Sequence, residues 1–384
     1  MSLRRTFAVL AAFGALVACD KDKTALPPAE LVDINQTLPV KELWSASVGD
    51  GEAKLRLALG LAENAGVLYA ASRDGDVVAL DPANGRVRWK GKTVDDLSAG
   101  PAAGNGLVVV GSTSGKVIAL DAESGKQRWE ANVSGEVLAA PLVSGDRVVV
   151  RLVDGRLRGL NAADGKEAWM VDDIVPRLTL RGTSPPVGVG DVAICGFDSG
   201  RVMAVSLGNG DILWQVQVAT PRGRTELERI ADVDAAVRVA GEEVFAVGYQ
   251  GRVAMIALGT GQLWWTRDLS SYRGLAIDDE RLYVATSDGD VVALRRRDGS
   301  TVWQQQGLKR RGLGVPAIHG GAIVVGDFDG YLHWLDRDSG RFVAREHVGG
   351  ARFAAAPIVD GDRLFVIDDD GEVTAFRAGG GAGR

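Results

Sequence analysis

A rhythm of two glycines and a tryptophan constrains this chain more than any other feature. A glycine ends a turn, a second follows ten residues later, and a tryptophan stands fourteen after the first. The frame occurs at Gly75/Gly85/Trp89, Gly115/Gly125/Trp129, Gly155/Gly165/Trp169, Gly200/Gly210/Trp214, Gly251/Gly261/Trp265 and Gly289/Gly299/Trp303. Gly330 and Gly340 keep it with Ala344 in the tryptophan place, and Gly371 opens an eighth copy that the chain end interrupts. Self-similarity at a period of about forty residues is the mark of a repeat architecture.

The first copy shows the build of one repeat. Gly66–Ser72 is apolar and rich enough in strand formers for a strand. Asp74-Gly75 and Asn84-Gly85 are two-residue turns of the kind that need positive φ. Asp76–Leu80 between them alternates, and Arg86–Trp89 begins an outer strand. A further short strand precedes each unit, as in 138–143 and 354–359, which makes four. Four antiparallel strands per repeat predict an all-β, eight-bladed propeller. The eighth copy lacks its outer strand, and Lys41–Val48 resembles the outer-strand stretch that starts at Arg86 and runs past Trp89. The N-terminal strand around Trp44 is therefore expected to complete blade eight and close the ring, leaving no free sheet edge. The tryptophans read as structural, with no chemistry assigned to them.

Charge and cysteine content narrow the functional classes. The formal net charge is -6, and no long basic run appears, which argues against nucleic acid. Two cysteines, Cys19 and Cys195, build neither a disulfide framework nor a zinc cluster. Arg4 and Arg5 precede an apolar stretch from Thr6 to Ala18, too short to span a bilayer and suited to a signal peptide. It ends Leu16-Val17-Ala18-Cys19, which resembles a bacterial lipobox and implies lipidation of Cys19. The expected organisation is a signal peptide over 1–18, a lipidated flexible tether over 19–40, a propeller over 41–378 and a flexible tail over 379–384. Asp20 resembles an inner-membrane retention signal and keeps the choice of membrane open.

The sequence holds few candidates for chemistry. Asp368-Asp-Asp-Gly-Glu372 and Asp327-Phe-Asp-Gly330 are acidic, but neither has the ligand spacing of a calcium loop. They occupy the turn that Asp74, Asp154 and Asp288 also fill, so the turn accounts for them. His319, His333 and His347 lack ligand spacing, and His333 stands where other repeats have Val78, Ile118 and Val292, a core or interblade position.

Ala79-Leu-Asp81, Gly85 and Trp89 together resemble the tryptophan-docking motif of quinoprotein-type propellers. Asp121 and Asp336 keep the aspartate of that motif, while Asn161, Ser206, Ala257 and Arg295 depart from it. The resemblance implies indoles packed between blades. It also raises a periplasmic quinoprotein-like dehydrogenase as an alternative, although the chain has no room for the insertions and lacks the adjacent cysteines of those enzymes.

Function on a repeat scaffold gathers where the repeat is interrupted. Two intervals are long, 45 residues from Gly155 to Gly200 and 51 from Gly200 to Gly251, against 38 to 41 elsewhere. Both excesses fall between an outer strand and the next inner one, so both loops belong to one face. The first carries Leu178, Leu180 and Arg181, and the second Asp232 and Asp234. Leu178-Thr-Leu-Arg-Gly182, Glu228–Asp234, Val325–Leu335 and Gly340–Ala344 resemble the BamB family of outer-membrane assembly lipoproteins. The resemblance covers about Leu43 to Phe376. It implies a non-enzymatic scaffold without cofactor or metal, whose partner is the POTRA domains of BamA. It assigns partner binding to Leu178, Leu180, Arg181, Asp232 and Asp234, with other subunits of the assembly machinery and unfolded outer-membrane proteins as further partners. An inner-membrane binding propeller stays open beside it.

Overall fold

A computed structural model describes residues 26–51, 55 and 57–379. The expected leader, Cys19 and Asp20 lie outside the described residues, as do 380–384. The fold is the expected all-β ring of eight sheets. Blades 1 to 7 span 61–92, 97–132, 142–172, 187–217, 238–268, 275–305 and 317–347. Blade 8 joins Ile358–Asp360, Arg363–Ile367 and Glu372–Ala378 to the N-terminal strand Val40–Ser47. The four strands of each blade pair antiparallel from the channel outward in sequence order, except that the outermost strand of blade 8 comes from the N-terminus. Trp44 lies opposite Ala375 in the closing ladder.

The glycine-tryptophan rhythm has one physical explanation. Each outer-strand indole crosses to the turn between the third and fourth strands of the next blade. There its N–H donates to a backbone carbonyl. Trp44 reaches Pro82 at 3.1 Å, Trp129 reaches Ala162 at 2.7 Å, and Trp303 reaches Arg337 at 2.9 Å. Trp89, Trp169, Trp214 and Trp265 do the same. The ring of each indole lies on the second glycine of that turn. A Cβ at Gly165 would stand 2.6 Å from Trp129, on a backbone whose φ is already +70°. Gly165 is thus held by both its turn and its neighbour's indole. The aspartate of the motif matters less. Gly165 N donates to Asn161 O at 2.8 Å just as Gly85 N donates to Asp81 O, so the backbone closes the turn in either case.

Ala344 follows from ring closure. A tryptophan there would dock on the turn joining the third and fourth strands of blade 8. Because Val40–Ser47 supplies that fourth strand, no such turn joins them. Ala344 instead lies opposite Trp334, and both are fully buried.

Two details differ from the sequence reading. The inner strands are short, Leu142–Ser144 and Ile358–Asp360, rather than beginning at 138 and 354. Pro141 and Pro357 have no N–H to donate, so the ladder starts after them. Blade 2 also has a fifth strand. The connection from blade 8 to blade 1 dips into the channel, where Ala58–Leu59 pairs parallel with Leu97–Gly104.

Residues 27–38, within the expected tether, lie along blades 6 and 7. Ala29 N donates to Lys309 O at 2.9 Å, and Thr37 N to Val343 O at 2.8 Å. Arg310 donates to Pro27 O at 2.6 Å and Arg345 to Val32 O at 2.8 Å. Leu31 packs against the cluster around Trp303.

Candidate interaction face

One face of the ring carries the turns between second and third strands and the connections from each outer strand to the next inner one. The two lengthened connections, 173–186 and 218–237, lie side by side on it. Their pairing is built from inside. Asp232 is fully buried and accepts a hydrogen bond from Leu180 N through Oδ2. Ser184 Oγ donates to Ala235 O at 3.0 Å. Ile230, Ala231, Val233 and Val237 are buried beneath, leaving 221–229 exposed. That tip is shaped by Glu228, whose carboxylate accepts from Arg224 N at 2.7 Å and Thr225 N at 3.2 Å.

The five sequence-selected residues are brought together, but they differ in access. Leu178 is exposed and Arg181 projects outward, 3.5 Å from Glu136 of the connection before it. Leu180 and Asp234 are half-buried at the wall of the central cavity. Asp232 has no accessible surface and holds the first loop in place. Ile174 and Leu227, which the sequence did not single out, are exposed on the same two loops. Their signal was simply an apolar residue inside a lengthened interval.

The electrostatics beneath the loops are unusual. Asp198, Asp232 and Asp234 gather near one buried cation, Arg151, which pairs with Asp198 at 3.1 Å. Burial, opposed by the Leu180 N–H and helped by the charge of Asp198, pushes Asp232 up to about 6. Burial, then Asp232 and Asp198, pushes Asp234 well above the ordinary carboxylate range. Oδ1 of both Asp232 and Asp234 has no hydrogen-bond partner among the described residues. The cluster is a buried acidic support for the loops.

The other candidates have structural places. His333 is fully buried, accepts from Arg345 Nε at 3.1 Å and donates to Asp327 at 3.0 Å. Asp327 Oδ1 accepts from Asp329 N and Tyr331 N, and Asp368 Oδ1 from Asp370 N and Glu372 N, so both serve their own turns. Burial pushes the Cys195 thiol up to about 12, far from thiolate chemistry. The mouth of the channel opens on the loop-bearing face as a cavity of about 880 Å³. Its lining was not legible in the sequence, because side chains there meet from connections on many blades.

The relatives bear on the family and the fold. The family model for outer membrane protein assembly factor BamB matches residues 39–96, 73–305 and 288–382. A Pseudomonas aeruginosa protein named outer membrane protein assembly factor BamB is 46% identical over 370 residues, 96% of this chain and 97% of that one. The crystal structure of BamB from Moraxella catarrhalis superposes with a TM-score of 0.82 at 29% identity, covering 88% of this chain and all of that chain. A quinohemoprotein alcohol dehydrogenase from Comamonas testosteroni matches at TM-score 0.71 but 14% identity, over 90% of this chain and 77% of its own. That likeness is one of fold alone, so the dehydrogenase alternative is set aside. The chain belongs to the BamB family of outer-membrane protein assembly factors.

Proposed function

We propose that this chain is a non-enzymatic scaffold of the outer-membrane β-barrel assembly machinery that docks on the POTRA domains of BamA. Its leader, 1–18, is removed and Cys19 is lipidated, holding the ring on the periplasmic face of the outer membrane. The docking rim is made of Leu178, Leu180, Arg181 and Asp234, with Asp232 fixing the loops from within. Unfolded barrel proteins are its further clients.

One observation carries this reading: two lengthened connections on adjacent blades are braced together and present apolar side chains beside Arg181. Apolar anchors next to an arginine are the make-up of an interface hot spot, and bracing lowers the ordering cost of binding. The test is a pull-down with the native lipoprotein and with L180A/R181A, both checked for equal thermal stability. BamA is expected with the wild type and reduced on the order of tenfold or more with the variant. Wild-type eluate without BamA would sink the docking reading, and equal recovery by the variant would sink the residue assignment.

A further inference from the structure

The cavity at the channel mouth has a charge opposite to that of the chain. Among the described residues five arginines line it, Arg181, Arg238, Arg273, Arg310 and Arg352, against one acidic residue, Asp234. The whole chain has 44 basic and 50 acidic residues, so this concentration is not a sample of the average surface. Asp234 is half-buried at the wall, and burial raises its affinity for a proton. Arg181 and Arg352 have carboxylates of their own, Glu136 at 3.5 Å and Asp369 at 2.7 Å. Arg310 is held by Pro27 O.

Arg238 is different. It starts the inner strand of blade 5, and its Nε–H crosses to Leu275 O at the start of the inner strand of blade 6, at 3.1 Å. No carboxylate pairs with it among the described residues, and burial alone lowers the affinity of its guanidinium for a proton. A partly desolvated guanidinium without a counterion is unfavourable, and its planar fork matches a carboxylate in two parallel hydrogen bonds. The surrounding wall is apolar: Leu57, Leu59, Leu138, Leu275, Val315 and Ala355. Tyr249 and Tyr272 stand edge to face 6.1 Å apart at the same wall. A cavity of about 880 Å³ lies within the range of small-ligand sites.

From the unpaired guanidinium of Arg238 in an apolar, arginine-lined cavity, we propose that the channel mouth binds an apolar chain ending in a carboxylate. The carboxylate takes the fork of Arg238, and the apolar body lies against Leu57, Leu59, Leu275 and Val315. A lipid-derived fatty carboxylate and the free carboxyl end of an apolar peptide share this chemistry. The site borders the docking rim, since Leu180, Arg181 and Asp234 belong to the same wall, but the proposal turns on Arg238, which is no part of that rim.

The test is calorimetry on the full-length lipoprotein in lipid nanodiscs, with empty nanodiscs as the blank. The probes are octanoate, an apolar hexapeptide with a free carboxyl end, and the same hexapeptide amidated. At least one acid probe is expected to bind. Where the peptide acid binds, its amide is expected to be at least tenfold weaker, and Arg238→Met is expected to weaken every acid that binds by tenfold or more. Octanoate binding alone assigns a lipid source, peptide binding alone a chain end, and binding of both confirms the shared chemistry. If Arg238→Met does not fold, Val315→Trp, which adds bulk at the apolar wall, is expected to block the same probes. Absence of binding by both acids, an amide as tight as its acid, or full binding by both variants would overturn the proposal.

Discussion

Each docking indole does two things in its neighbour: it satisfies a turn carbonyl and it covers a glycine. Trp129 and Gly165 therefore form a coupled pair although they lie on different blades. Replacing Trp129 by alanine is expected to cost about 3–5 kcal/mol, as for other buried aromatics. Gly165→Ala has two costs. Its backbone sits at φ +70°, worth about 1–2 kcal/mol for a residue with a Cβ, and that Cβ strikes the indole. Removing the indole relieves the second cost and leaves the first. The double variant is therefore expected to be more stable than the sum of the two singles by about 1–3 kcal/mol. Denaturant unfolding of the four proteins reads this directly. Strict additivity would show that Gly165 is required by its turn alone.

The two lengthened loops behave as one element because Asp232 joins them from inside. Their stability should depend on pH through that carboxyl. Its pKa in the folded chain is about 6, above the value of about 4 in an unfolded one. Between these values the folded protein holds a proton that the unfolded chain has released, so stability falls as pH rises from about 4 to about 6. Asp232→Asn keeps an acceptor for Leu180 N and removes the titration. Its stability relative to wild type is expected to climb by up to about 2–3 kcal/mol across that window. Parallel stability curves at pH 4, 5, 6 and 7 would show that Asp232 ionises freely. That both loops share a face was legible in the sequence, because loop position follows from the repeat. The burial of Asp232 was not, since it depends on how two irregular segments pack, 52 residues apart. The same contrast runs through the chain. The ring was readable from local turns and a fixed spacing of tryptophan to the next blade's glycine. The contacts of 27–38 were not, because Arg310 and Arg345 lie 283 and 313 residues from their partners there. Nor was Arg238, whose character comes from a carbonyl and a cavity on a different blade.

The N-terminal segment joins four blades at once, and that gives the molecule its closure. Residues 27–38 lie on blades 6 and 7, and Val40–Ser47 completes blade 8. Trp44 then docks on Pro82 and Gly85 of blade 1. These contributions separate by kind. Contacts of 27–38 are side-chain and backbone bonds laid on a finished surface, whereas 40–47 is a ladder strand without which Glu372–Ala378 has an open edge. Deleting 27–38 with the rest of the chain in place is expected to give a folded monomer with a lowered Tm. Deleting 27–48 exposes the edge of blade 8 and the unfilled docking slot of blade 1 together. Unpaired strand edges recruit other chains, so this variant is expected to associate or aggregate as well as lose stability. Size-exclusion chromatography with light scattering, alongside calorimetry, distinguishes the two deletions. A monomeric 27–48 deletion that melts like the shorter one would mean that the ring holds together through its channel-side contacts. In that case Trp44 would be one docking indole among seven, with no special part in closing the ring.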